Sequence, residues 1–115
     1  MRLFVSYSHQ DRQITRNLET LLTSAGHEVW IDNNLITGKS WQQQLKDEIH
    51  KADAIVLALT PRWQASPYCQ WEYMTAVEAG RKVIPVMLEK VDLPDYIGTH
   101  RDSDKMCFFN IEMVE

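Results

Sequence analysis

Ala54-Ile55-Val56-Leu57-Ala58-Leu59 is an unbroken apolar run, stopped by Thr60-Pro61. A strand with one wet face alternates polar and apolar residues. An uninterrupted run of strand length instead suits a strand buried on both faces, in the middle of a parallel sheet. Parallel strands need crossover connections, usually helices, and these are the segments to look for on either side.

Leu3 to Ser6 is a short apolar strand. Ser8-His9-Gln10-Asp11 matches a capping box, with Ser8 as N-cap and Asp11 at N3. Behind it Ile14, Leu18, Leu21, Leu22 and Ala25 recur at helical spacing, and Gly26 ends the run. Val29-Trp30-Ile31 is a second strand, broken by Asp32-Asn33-Asn34. Ser40, with Gln43 three residues on, caps a helix whose predicted buried stripe is Trp41, Leu45, Ile49 and Ala52. Val83-Ile84-Pro85-Val86-Met87 is a fourth strand, and its internal proline suggests an irregular or edge position. The stretch from Asp92 to Asp104 reads as loop with at most one short helix, and Cys107-Phe108-Phe109 as a fifth strand. The alternation predicts an α/β fold: a flavodoxin-like, doubly wound, mainly parallel five-stranded sheet in order 2-1-3-4-5, with helices on both faces. Residues 1–115 make one domain. No convincing fifth helix follows Phe109, so the domain reads as shortened at its C-terminal end or as part of a longer chain.

The helix after the buried strand carries the most chemistry. Ser66 is a good N-cap, Pro67 occupies the first helical position, and the run closes at Gly80. Glu72 falls near the start of that helix, with Tyr68 four residues earlier on the same face. A carboxylate beside an aromatic ring at the strand-to-helix edge of such a sheet stands where these folds bind ligands. The plainer alternative is an ordinary helical glutamate, solvated or paired with an arginine. Tyr7 and Ser8, at the end of the first strand, are expected to line the same pocket; for Tyr7 a core aromatic with a satisfied hydroxyl is the alternative.

Other chemistries fit less well. Gly38-Lys39-Ser40 opens a helix, but a phosphate loop needs a glycine where Asn33 stands. Lys39 and the free N–H groups after Ser40 retain the capacity to meet an anion. A phospho-receiver needs an aspartate at the end of the third strand, where Leu59-Thr60 lies. The four histidines are scattered, and Cys69 and Cys107 have no metal-ligand spacing, so no metal is expected. Both cysteines read as reduced thiols of a cytoplasmic chain. A net charge of −4 and a pI near 5.5 argue against nucleic acid or an anionic membrane surface. No run approaches the roughly 18 apolar residues of a membrane span. Leu35 and Ile36 form an apolar pair in a polar loop. Such a pair marks a contact surface or tucks back onto the domain's own core.

Four segments in register resemble a Toll/interleukin-1 receptor (TIR) domain of the bacterial and plant kind. They are Leu3-Phe4-Val5-Ser6-Tyr7-Ser8-His9-Gln10-Asp11, Val29-Trp30-Ile31-Asp32, Ile36-Thr37-Gly38 with Trp41, and Ser66-Pro67-Tyr68-Cys69-Gln70-Trp71-Glu72. The resemblance runs from residue 1 to about residue 88. It implies two functions. One is NAD+ cleavage at the nicotinamide–ribose bond in immune signalling, yielding nicotinamide and ADP-ribose or a cyclic isomer. NAD+ is then the substrate and no cofactor is needed. Glu72 matches the family's catalytic glutamate, and Tyr68 the aromatic that some members place one turn before it, expected to stack on a substrate ring. The other is an adaptor that only associates with further TIR domains. The loop Leu35-Ile36-Thr37-Gly38 matches the family's association loop, with Thr37 where many relatives have proline. In enzymatic members the loop packs against a neighbouring domain, implying a homo-oligomer or head-to-tail filament.

Overall fold

The computed structural model describes residues 1–31 and 40–91, and the backbone of Phe109 and Asn110. Strands β1 (Arg2–Ser6), β2 (Glu28–Trp30), β3 (Ala54–Leu59) and β4 (Lys82–Met87) form a parallel sheet, which the two-residue β5 (Phe109–Asn110) extends. The order is β2-β1-β3-β4-β5, as the sequence predicts. Helices α1 (Arg12–Ser24), α2 (Trp41–Lys51), α3 (Pro61–Gln64) and α4 (Pro67–Glu78) make the connections, and a 3-10 turn, His9–Asp11, precedes α1. The predicted contact-loop residues Leu35, Ile36, Thr37 and Gly38, the predicted anion-facing Lys39, and Cys107 lie outside the described residues.

Every residue of β3 is buried, which explains its unbroken apolar sequence. Its side chains alternate between two cores. Ile55, Leu57 and Leu59 join Phe4, Leu45, Ile49, Trp63 and Tyr73 on the face covered by α2, α3 and α4. Ala54, Val56 and Ala58 join Leu3, Val5, Tyr7, Leu18 and Val86 on the face covered by α1. Ser6 follows the same period of two. Phe4 points to the α2–α4 face, so Ser6 does too, and this places its hydroxyl among α3 and α4.

Three local expectations need correction. The capping box is half made: Ser8 Oγ accepts from Gln10 N at 3.4 Å, but the Asp11 carboxylate turns inward to Thr60 and Arg62. On α1 the buried stripe runs through Thr15, Leu18 and the half-buried Leu22, leaving Ile14 and Leu21 exposed. The contact line thus keeps Leu18 and Leu22 of the apolar set but takes Thr15 in place of Ile14. Trp41 is 41% exposed, although Leu45, Ile49 and Ala52 of its predicted stripe are buried. Pro85 sits inside β4 opposite Leu57, and among the described residues β5 pairs with Val86 and Met87. Among the described residues no helix is long and apolar enough to cross a membrane.

Candidate active site

The C-terminal ends of β1 and β3 and the N-terminal end of α4 converge on one edge of the sheet, the usual ligand edge of a doubly wound fold. Ser66 Oγ accepts from Cys69 N at 3.2 Å and Pro67 begins α4, so this helix starts where the sequence predicts. Cys69, Glu72, Tyr73 and Ala76 then fall at i, i+3, i+4 and i+7 and are all buried. Glu72 thus occupies a core position of the helix, at 1% exposure.

A carboxylate so placed must be hydrogen-bonded. Ser6 Oγ donates to Glu72 Oε1 at 2.7 Å, and Trp63 Nε1 donates to Ser6 Oγ at 3.0 Å. Glu72 is therefore not a solvated surface residue. A hydrogen bond to a carboxylate contributes about 1.5–3 kcal/mol.

Tyr7, Ser8 and Tyr68, predicted to share a pocket, do line one cleft of about 600 Å³, together with His9, Arg62 and Ser66. Glu72, expected in the same pocket, is not on its wall: it lies one helical turn beyond Tyr68, on the buried stripe of α4 that faces the core. Three lining rings are in contact, Tyr7 with His9 at 5.6 Å and His9 with Tyr68 at 5.7 Å, and the row continues behind the lining from Tyr68 to Trp41 at 5.2 Å and from Trp41 to Trp71 at 5.6 Å.

A second polar group lies beside the cleft, which Arg62 lines. Thr60 Oγ1 accepts from Trp63 N at 3.1 Å, capping α3, and donates to the buried carboxylate of Asp11. Arg62 donates through Nε to Asp11 and through Nη2 to Glu89. The Asp11 carboxylate first, then Glu89, holds the Arg62 guanidinium above its ordinary pKa. The cation at the rim is thus already paired with two carboxylates.

Sequence reading alone missed Ser6, Asp11, Thr60, Arg62 and Trp63. One signal was present: Thr60-Pro61 has the form of an N-cap followed by proline at the first helical position, which announces α3 and not merely the end of β3.

Residues 3–110 match the family profile described as TIR domain. The chain belongs to the TIR domain family. Over 99 residues this TIR domain is 30% identical to the uncharacterized protein y4lF of Sinorhizobium fredii (strain NBRC 101917 / NGR234), covering 78% of the chain. It spans 31% of the length of that relative. Its fold superposes on the TIR domain of the Toll-related receptor TRR-2 from Hydra magnipapillata with a TM-score of 0.80 at 13% identity, covering 97% of this chain and 89% of that one. It also superposes on the CMP N-glycosidase BcmB of Clostridium botulinum with a TM-score of 0.71 at 20% identity, covering 96% and 88%. At such identities the likeness speaks for the fold.

Proposed function

We propose that this TIR domain cleaves NAD+ at the nicotinamide–ribose bond, releasing nicotinamide and ADP-ribose or a cyclic isomer of it, with Glu72 as the catalytic carboxylate. The observation that carries this is a carboxylate at a core position of α4, at the ligand edge of the sheet, one turn from the cleft. An apolar side chain would fill that position without desolvating a charge, so a carboxylate there supports a chemical role.

Nicotinamide leaves as a neutral molecule when the C–N bond breaks, taking the electron pair with it, so little acid catalysis is required. Positive charge develops on the ribosyl carbon. A fixed carboxylate stabilises that oxocarbenium-like centre and accepts hydrogen bonds from the ribose hydroxyls. Water then adds to the carbon and gives a proton to solvent, or a ring nitrogen of the adenine closes the cyclic product. A 600 Å³ cleft is within the range of small-molecule sites, and its aromatic border suits a heteroaromatic ring. The Clostridium botulinum fold-mate is by name a CMP N-glycosidase, so in that protein the fold supports N-glycosidic cleavage of a nucleotide. Tyr7, Ser8 and Tyr68 are the substrate-binding side chains in this reading, and Lys39 meets the diphosphate. Leu35, Ile36, Thr37 and Gly38 contact a neighbouring TIR domain.

The seclusion of Glu72, at 1% exposure and bonded to Ser6, also fits a structural carboxylate in a non-catalytic adaptor that acts by TIR–TIR association. One experiment separates the two. Concentrated protein is incubated with NAD+ and the products are resolved by chromatography, for wild type and Glu72→Gln. Nicotinamide release that is lost in Glu72→Gln supports the enzyme. Wild-type protein that leaves NAD+ intact, or a variant as active as wild type, refutes it.

A further inference from the structure

Ser6, Trp63 and Glu72 come from β1, α3 and α4, and each is at most 1% exposed. An indole N–H donates and never accepts. Trp63 Nε1 lies 3.0 Å from Ser6 Oγ, so the serine accepts there. A serine hydroxyl has one proton, and the Ser6 proton has Glu72 Oε1 as acceptor at 2.7 Å. The order of donation is one-way, from Trp63 to Ser6 to Glu72.

From this geometry we infer that Ser6 and Trp63 are positioning residues for Glu72, the indole directing the hydroxyl proton and the hydroxyl holding one carboxylate oxygen at the edge of the site. This rests on the NAD+-cleaving reading above. The terminal torsion of a glutamate is broad and close to two-fold, so the side chain alone does not set the plane of its carboxylate. A donor at Oε1 selects one orientation. A serine by itself offers either its proton or its lone pairs, but Trp63 occupies the acceptor side and commits the proton to Glu72. Trp63 is itself anchored, because its backbone N–H bonds to Thr60 Oγ1 and that hydroxyl donates to Asp11. Its chain neighbour Arg62 lines the cleft. The short helix α3 therefore ties the rim of the cleft to the orientation of the buried carboxylate.

The test uses Ser6→Ala, Trp63→Phe and their combination, assayed with NAD+ at several protein concentrations. Ser6→Ala is expected to lower kcat about 10- to 100-fold with KM within about twofold, the pattern of a group that matters in the transition state only. Trp63→Phe keeps a ring and deletes the N–H, and is expected to lower kcat in the same direction by less. The double variant is expected to be no slower than Ser6→Ala, because Trp63 acts through Ser6. The indole ¹H–¹⁵N resonance of Trp63 gives a readout that needs no turnover. It is expected to shift in Ser6→Ala and to stay in place in Glu72→Gln, whose amide oxygen still accepts from Ser6. A Ser6→Ala protein with wild-type kcat, or additive losses in the double variant, overturns the inference and leaves Glu72-dependent cleavage standing. If Ser6→Ala does not fold, Trp63→Phe decides alone, and unchanged kcat overturns the inference. Wild-type protein that never consumes NAD+ overturns the parent reading and the positioning role together, wherever the indole resonance lies.

Discussion

The rings of Trp41 and Tyr68 meet at a centroid separation of 5.2 Å and an angle of 34°, joining the first residue of α2 to the first turn of α4. This contact explains why Trp41 departs from the stripe of Leu45 and Ile49. A helix that follows a parallel strand begins at the C-terminal edge of the sheet, so its first residue has no strand beneath it. Trp41 packs against the edge of the candidate site instead, touching the ring of Trp71 as well.

If Tyr68 covers a ring of the substrate, its aromatic face matters more than its hydroxyl. Tyr68→Ala is expected to raise the Michaelis constant for NAD+ about tenfold, and Tyr68→Phe by about twofold or less, in line with the worth of an aromatic pair. Equal effects in steady-state kinetics would remove the stacking role.

Asp11 serves Thr60 and Arg62 from a buried position, whereas Glu89 reaches Arg62 from the surface. Asp11→Ala leaves the Thr60 hydroxyl without its acceptor and is expected to lower Tm by roughly 5–10 °C in scanning calorimetry. Glu89→Gln is expected to lower it by about 2 °C at most. Folding raises the Arg62 pKa, so the contribution of the guanidinium is full below its ordinary value and fades only as pH climbs through the folded one. Titration of Arg62 is therefore expected to leave no step in a Tm-versus-pH series between about pH 6 and 10.

Thr15 is 2% exposed, and its hydroxyl has no hydrogen-bond partner among the described residues. Thr15→Val keeps the branched shape and removes the hydroxyl. It is expected to stabilise the domain by about 1 kcal/mol in urea unfolding, since a buried unsatisfied polar group is a cost. A loss of stability would show that the hydroxyl finds a partner in solution.

On the proposed reading, residues Leu35–Gly38 are expected to bring copies of the domain together. A contact between two different surfaces propagates head to tail unless it closes. Specific activity is then expected to rise with protein concentration, and Ile36→Asp to suppress it by about tenfold or more while Tm stays within a few degrees. A flat dilution series together with a fully active Ile36→Asp protein would make the monomer the enzyme.

The apolar run Ala54–Leu59, the cap-and-proline start at Ser66-Pro67 and the alternation of strand and helix patterns carry the fold and the strand order in the sequence itself. These signals are local, because a strand buried on both faces and a capped helix each need particular residues within a few positions. The placement of Glu72 was half legible. Its spacing from Cys69, Tyr73 and Ala76 puts it on the buried stripe of α4, but a single polar residue in a stripe reads equally well as a surface position. Its partners were not legible at all. Ser6 lies 66 residues from Glu72 and Trp63 lies 57 from Ser6, so no window of sequence contains the group. Only the parallel register of β1 against β3, which turns Ser6 toward α3 and α4, brings the three together. Asp11 shows the same division. Its capping signature predicts a bond to its own helix, and the packed structure spends that carboxylate on Thr60 and Arg62, because a buried charge is better satisfied by a hydroxyl and a guanidinium than by one more backbone N–H.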